Sequence, residues 1–115
     1  MLLFRLFLLT AIAVIGAYTA VTISNHGINL LPIFFGDMAK MGWPGQFNLD
    51  FLFFLLLAMI WIAWRHQFSA AGLALAALVP AGGMPYLSIY LLVHSFRTRG
   101  DPAALLLGPD RARQR

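Results

Sequence analysis

Residues 49–64 read LDFLFFLLLAMIWIAW, and every position after Asp50 is apolar. A soluble protein has no use for so long an uninterrupted run, whereas a membrane-spanning helix needs one. Sixteen residues at about 1.5 Å each reach roughly 24 Å, short of a hydrocarbon core of roughly 30 Å. The span therefore borrows flanking side chains such as Phe47 and Phe68, or thins the bilayer. Asn48 is placed to cap it and Asp50 to favour the positive end of its dipole. At its far end Trp61, Trp64, Arg65 and His66 form an interfacial cluster.

Working toward the N-terminus, Ser24 to Asn48 contains no spanning segment. Ser24-Asn25-His26-Gly27 ends a preceding helix with turn chemistry. Pro32 to Met41 predicts a short interfacial helix, with Ile33, Phe34, Phe35, Met38 and Met41 toward lipid and Asp37 and Lys40 outward. Gly42-Trp43-Pro44-Gly45 stops it, and Trp43 takes an aromatic-belt position. Residues 6–23, LFLLTAIAVIGAYTAVTI, carry no charge and predict the first span, with Arg5 snorkelling at its start. A cleaved signal peptide is the rival reading. Ala17-Tyr18-Thr19-Ala20 is a poor cleavage site and further spans follow, so a retained helix is expected.

Toward the C-terminus, residues 70–96 predict a third span that differs in kind. Its first half is rich in Ala and Gly, which lets membrane helices approach closely. Its middle, Pro80-Ala81-Gly82-Gly83-Met84-Pro85, predicts a kink turned toward neighbouring helices, because freed backbone groups at membrane depth need partners. Pro80, Gly82, Gly83 and Pro85 are thus packing and kink residues. Residues 98–115 form a basic tail around the apolar island Ala103–Leu107, too short to span but able to dip into the interface or dock on a partner.

Composition agrees. The 115 residues are 61% hydrophobic and 10% charged, with mean hydropathy +0.81, whereas soluble domains are roughly 25% charged. Absence of cysteine excludes disulfides and thiolate chemistry. The net charge of +4 owes much to Arg97, Arg99, Arg111, Arg113 and Arg115. With no stacking platform or reading element beside them, these arginines point to anionic lipid and orientation, not to nucleic acid.

The expected architecture is thus an all-α membrane protein: a three-helix domain over residues 1–97, spans at about 6–23, 49–64 and 70–96, a short interfacial helix between the first two, and the tail. Three crossings put the tail opposite the N-terminus. The Lys/Arg excess on the tail side then predicts N-terminus out and C-terminus in, in a bacterial inner membrane.

That topology gathers His26, Asp50 and His94 near one face. Tyr86, Tyr90 and His94 recur every four residues on the third helix, a polar stripe that Arg97 extends. His94, His26, Tyr86 and Tyr90 are the candidate cofactor-binding residues, for a tetrapyrrole, carotenoid or quinone. The competing explanation is ordinary enrichment of Tyr, His and Trp at interfaces, with no cofactor as the default. Trp43, Trp61, Trp64, Arg65, Arg97 and Arg99 are read as interfacial. Zinc-type spacing such as His-x-x-x-His is missing, as are nucleophile-elbow and phosphate-loop motifs, so no enzyme activity is expected. Every charge lies at or beyond a span end. Asp50 is the one near-membrane acid, which makes a small oligomeric carrier a distant reading.

Asn29-Leu30-Leu31-Pro32-x-Phe34, Asp50-Phe51 and Pro85-x-Leu87-x-x-Tyr90-Leu91 together resemble a family of small bacterial three-helix membrane proteins known only as a domain of unknown function. The resemblance covers about residues 10 to 97 and implies a fold and a membrane location, with no activity. Members carry an acid and arginines after the second span, where this chain has Arg65-His66-Gln67, and they end soon after the third. The functional expectation is an accessory or structural subunit of a larger membrane complex. A pigment, haem or quinone binder is the alternative.

Overall fold

A computed structural model describes residues 1–114; Arg115, counted above with the basic tail, lies outside the described residues. The described chain is all helix. In order it runs α1 (Leu2–His26), α2 (Leu31–Ala39), α3 (Trp43–Arg65), α4 (Ala70–Ala77), α5 (Val79–Arg97), α6 (Pro102–Leu107) and α7 (Pro109–Gln114).

Two of these helices, α1 and α3, are long and apolar enough to cross a membrane. Both exceed their predicted lengths. α1 has 25 residues, about 37 Å. It ends at Gly27, whose φ of 81° and ψ of 177° suit glycine and whose N–H donates to the Ile23 carbonyl at 2.8 Å. α3 has 23 residues, about 34 Å, because it starts at Trp43 and not at Leu49. Gly42-Trp43-Pro44 opens this helix: Gly42 is the cap, and Pro44 occupies the first turn, where its missing N–H does no harm. Asn48 is consequently an internal residue, not a cap, and donates from Nδ2 to the Phe34 carbonyl of α2 at 3.0 Å. Asp50 lies beyond the first turn. Gly45 lets α2 press on α3, since a Cβ there would come within 2.3 Å of the Asp37 carbonyl oxygen.

The third predicted span is broken. α4 and α5 meet at a bend of 102°, far beyond a proline kink. Pro80 sits in the first turn of α5 and Pro85 inside it, and Gly83 adopts φ 57°, ψ −142°, a conformation that residues with a Cβ rarely take. Removal of two N–H donors and one glycine dihedral together turn the chain. Ala76 of α4 and Val79 of α5 join Leu55, Ile62, Ala63 and Tyr90 in the buried core. α4 thus packs along the second half of α3. α5 then runs beside α3 again, from Gly83 near the Phe51 ring to Tyr90 near Trp61. The α4–α5 pair starts and finishes at the same end of α3.

The end of α5 also meets the start of α1. Arg5 donates from Nε to Ser95 Oγ and from Nη2 to the Ser95 carbonyl, both at 3.0 Å. Its guanidinium stacks 3.9 Å from the Phe96 ring centroid. A Cβ on Gly100 would lie 3.6 Å from the Met1 side chain. The N-terminus and the start of the tail therefore share one end of the molecule, which corrects the opposite placement that three crossings implied.

The tail folds back on its own chain. Asp101 caps α6 by accepting from the Ala103 N–H at 3.1 Å, and Ala104 and Leu105 are buried. The apolar island thereby docks on the end of α3.

A buried arginine at the end of α3

Where α3 ends, the tail and α5 converge on Arg65. This residue, expected at the interface, is 4% exposed, so its side chain is held inside the fold at the end of α3. The cause is α6, which lays its last carbonyls over the guanidinium: Nε donates to the Leu105 carbonyl at 2.6 Å and Nη2 to the Ala104 carbonyl at 3.3 Å. Nη1 donates to the Tyr90 hydroxyl at 3.2 Å and lies 3.5 Å from His94 Nδ1. Two carbonyls at a short helix end and one phenol thus solvate the cation.

Tyr90 is shared. Its hydroxyl is also 2.7 Å from His66 Nε2. The rings of His66, Tyr90 and His94 pack in one cluster, with the two imidazole centroids 5.6 Å apart. Trp61 meets Tyr90 edge to face at 5.8 Å and donates from Nε1 to the Leu106 carbonyl at 2.9 Å. On the outside, Arg111 of α7 stacks on Trp64 at 4.0 Å and donates to its carbonyl. Burial first, and the Arg65 charge second, lower the pKa of His66 from its ordinary value of 6.5. Both effects disfavour the protonated imidazole.

Among the described residues no carboxylate pairs with Arg65, and the one ion pair is Arg113 with Asp110, on the exposed surface of α7. Beside the cluster a cleft of about 520 Å³ opens between the α3–α4 turn, the end of α5 and the start of α7, with Arg65, His66, His94 and Arg97 on its walls. With the Arg65 guanidinium facing His94 Nδ1, that nitrogen is the acceptor of the ring and Nε2 the donor, so it is Nε2–H that is left for an electron-rich or anionic group.

The predicted site residues are divided by this geometry. Tyr90 and His94 belong to the cluster. Tyr86, one turn earlier, instead donates to the Leu75 carbonyl at 2.6 Å and ties α5 to α4. His26 is corrected: it is exposed at the far end of α1, 21 residues and about 32 Å along the helix from Arg5. Asp50 is also away, exposed on α3 beside Phe53, Phe54 and Leu57. His66 replaces them, having been assigned to the opposite face because a third crossing was assumed. Trp43 marks the other end of α3, 73% exposed; Arg97 and Arg99 are exposed near the cluster. Gly82 and Gly83, expected at a kink, lie at the break in helical backbone inside α5, where Gly83 has φ 57°.

Comparison with known proteins adds no constraint: no protein-family profile matches the chain. No curated protein matches it, and no solved structure does.

Proposed function

We propose that this is a small membrane protein that binds a polar-headed hydrophobic ligand at the Arg65 cluster, with no catalysis of its own. One observation carries the reading: a buried arginine without a carboxylate partner, flanked by His66, Tyr90 and His94, faces an open cleft at a helix end. A buried charge without an opposite partner is costly and marks a candidate functional site. A quinone fits the donor set through its carbonyl oxygens. The test is gentle detergent extraction followed by native mass spectrometry and an absorption spectrum. Wild-type chain is expected to retain a small-molecule adduct that His94→Ala sheds. Bare wild-type protein, or an adduct indifferent to His94→Ala, would overturn the reading.

A second reading, as an accessory subunit beside other membrane proteins, is favoured by a different observation. Residues 16–26 of α1 are exposed all round, and Tyr18, Thr22, Asn25 and His26 recur on one face of that bare half-helix. Polar residues facing lipid seek helix partners, and the nearby Gly16 and Ala20 permit close approach. A stoichiometric partner that co-purifies with the chain and is lost on Ala20→Leu supports this reading; a lone protein removes it.

For orientation we propose both termini inside, in a bacterial inner membrane. α1 and α3 supply two crossings and the α4–α5 pair returns to its own side. Arg5, Arg65, Arg97, Arg99, Arg111 and Arg113 then share one end, with Lys40 at the other. The positive-inside rule assigns the arginine-rich end to the cytoplasm. Reporter fusions at the two termini are expected to give the same, cytoplasmic, signal.

A further inference from the structure

Arg65 holds a full charge at a site more than nine-tenths buried, and its hydrogen-bond partners among the described residues are neutral groups. Carbonyl and hydroxyl dipoles solvate such a charge but leave it uncancelled. Arg97 adds a second cation to the same cleft. Asp110 also lines it, yet its carboxylate is engaged by Arg113. The cleft's charge therefore calls for an anion.

A second cavity continues from the first. A groove of about 480 Å³ runs along α4 and α5 over Ala71, Leu75, Ile89 and Val93, and His66, His94 and Arg97 belong to both cavities. One half is cationic and rich in donors, and the other is apolar. This pairing matches an amphiphile in which a charged head is joined directly to a hydrocarbon tail.

We propose that the joined cavity holds an anionic, phosphate-bearing membrane lipid, with its phosphate at Arg65, Arg97 and His66 and one acyl chain in the α4–α5 groove. The inference rests on the reading of the Arg65 cluster as a ligand site and narrows its ligand class. Arg65 and Arg97 make charge-assisted bonds to the phosphate, for which a guanidinium is well shaped.

The test uses the full chain in non-ionic detergent, with phosphatidylglycerol, phosphatidylcholine, inorganic phosphate and a short-tailed quinone as separate probes. Binding is read by native mass spectrometry and by the shift in unfolding temperature. Phosphatidylglycerol is expected to bind and stabilise, phosphatidylcholine to do so at least tenfold more weakly, and inorganic phosphate to give a small shift. Arg97→Gln, at an exposed position that leaves the fold intact, weakens phosphatidylglycerol binding about tenfold, in keeping with the loss of one charge-assisted contact. Ile89→Trp fills the groove and reduces lipid binding while leaving the phosphate shift unchanged. Equal binding of phosphatidylcholine would overturn the charge selection. A phosphate effect as large as the lipid's, with Ile89→Trp silent, would show a free-oxyanion site and overturn the lipid assignment. Binding of the quinone alone overturns this inference and spares the broader one; binding of no probe overturns both.

Discussion

The Tyr90 hydroxyl serves two partners on the neighbouring helix end: it lies 2.7 Å from His66 Nε2 and accepts from Arg65 Nη1 at 3.2 Å. One phenol from α5 thereby ties together the last residue of α3 and the first residue of the turn to α4. Tyr90→Phe is expected to lower stability by about 1–3 kcal/mol, because two buried polar groups lose a partner at once. Tyr86→Phe removes a single bond, to the Leu75 carbonyl, and is expected to lose about 1 kcal/mol. Denaturant unfolding in detergent compares the two, and equal losses would contradict the shared role of Tyr90.

His66 sets a pH dependence whose sign follows from its environment. Its pKa in the folded protein is below the 6.5 of the free side chain, through burial and the adjacent Arg65. Between the two values the unfolded chain binds more protons, so stability rises with pH there. Stability is therefore full above about pH 6.5 and falls as acid forces a proton onto His66. His66→Gln is expected to flatten this part of the curve, as measured by unfolding temperature between pH 5 and 8.

Gly83→Ala isolates the backbone component of the α4–α5 turn. A Cβ there has room, 3.6 Å from the Phe51 ring, so the penalty comes from φ 57° and ψ −142°. A loss of about 1–3 kcal/mol is expected. Gly16→Ala is the counterpart: nothing lies within 4 Å and the site is mid-helix. It is expected to gain about 0.5–1 kcal/mol. A gain at Gly83 would mean that the turn relaxes into a straighter helix.

Ser88 is fully buried on α5, and its hydroxyl is the one buried side-chain oxygen or nitrogen without a partner among the described residues. Ser88→Ala removes an unsatisfied polar group and is expected to be neutral or stabilising by up to about 2 kcal/mol. Strong destabilisation would show that the hydroxyl has a partner in the membrane, such as a bound ligand.

Hydropathy made α1 and α3 legible, because an apolar run reads the same wherever it packs. The turn chemistry around Trp43 was harder, since Gly-Trp-Pro-Gly can close one helix or open the next. Residues 70–96 show why composition cannot settle topology. An apolar segment with two prolines has the same hydropathy whether it crosses kinked or doubles back, and the outcome here depends on Gly83 and on where the core accepts Ala76 and Val79. That ambiguity carried the site with it. Tyr90 and His94 were found from their spacing, while His66 was placed on the wrong face. The burial of Arg65 was hidden because two of its partners are main-chain carbonyls, 39 and 40 residues away at Ala104 and Leu105, and carbonyls leave no mark in a sequence.

The same distance orders events in time. Arg65 is made at the end of α3, but the α6 carbonyls that shield it are made 39 and 40 residues later. At roughly 5–20 residues per second, the arginine waits several seconds with its charge unshielded. During that interval lipid phosphates at the bilayer surface are the natural acceptors for it. The end of α3 thus matures in two stages, held first by its surroundings and sealed only when the tail arrives.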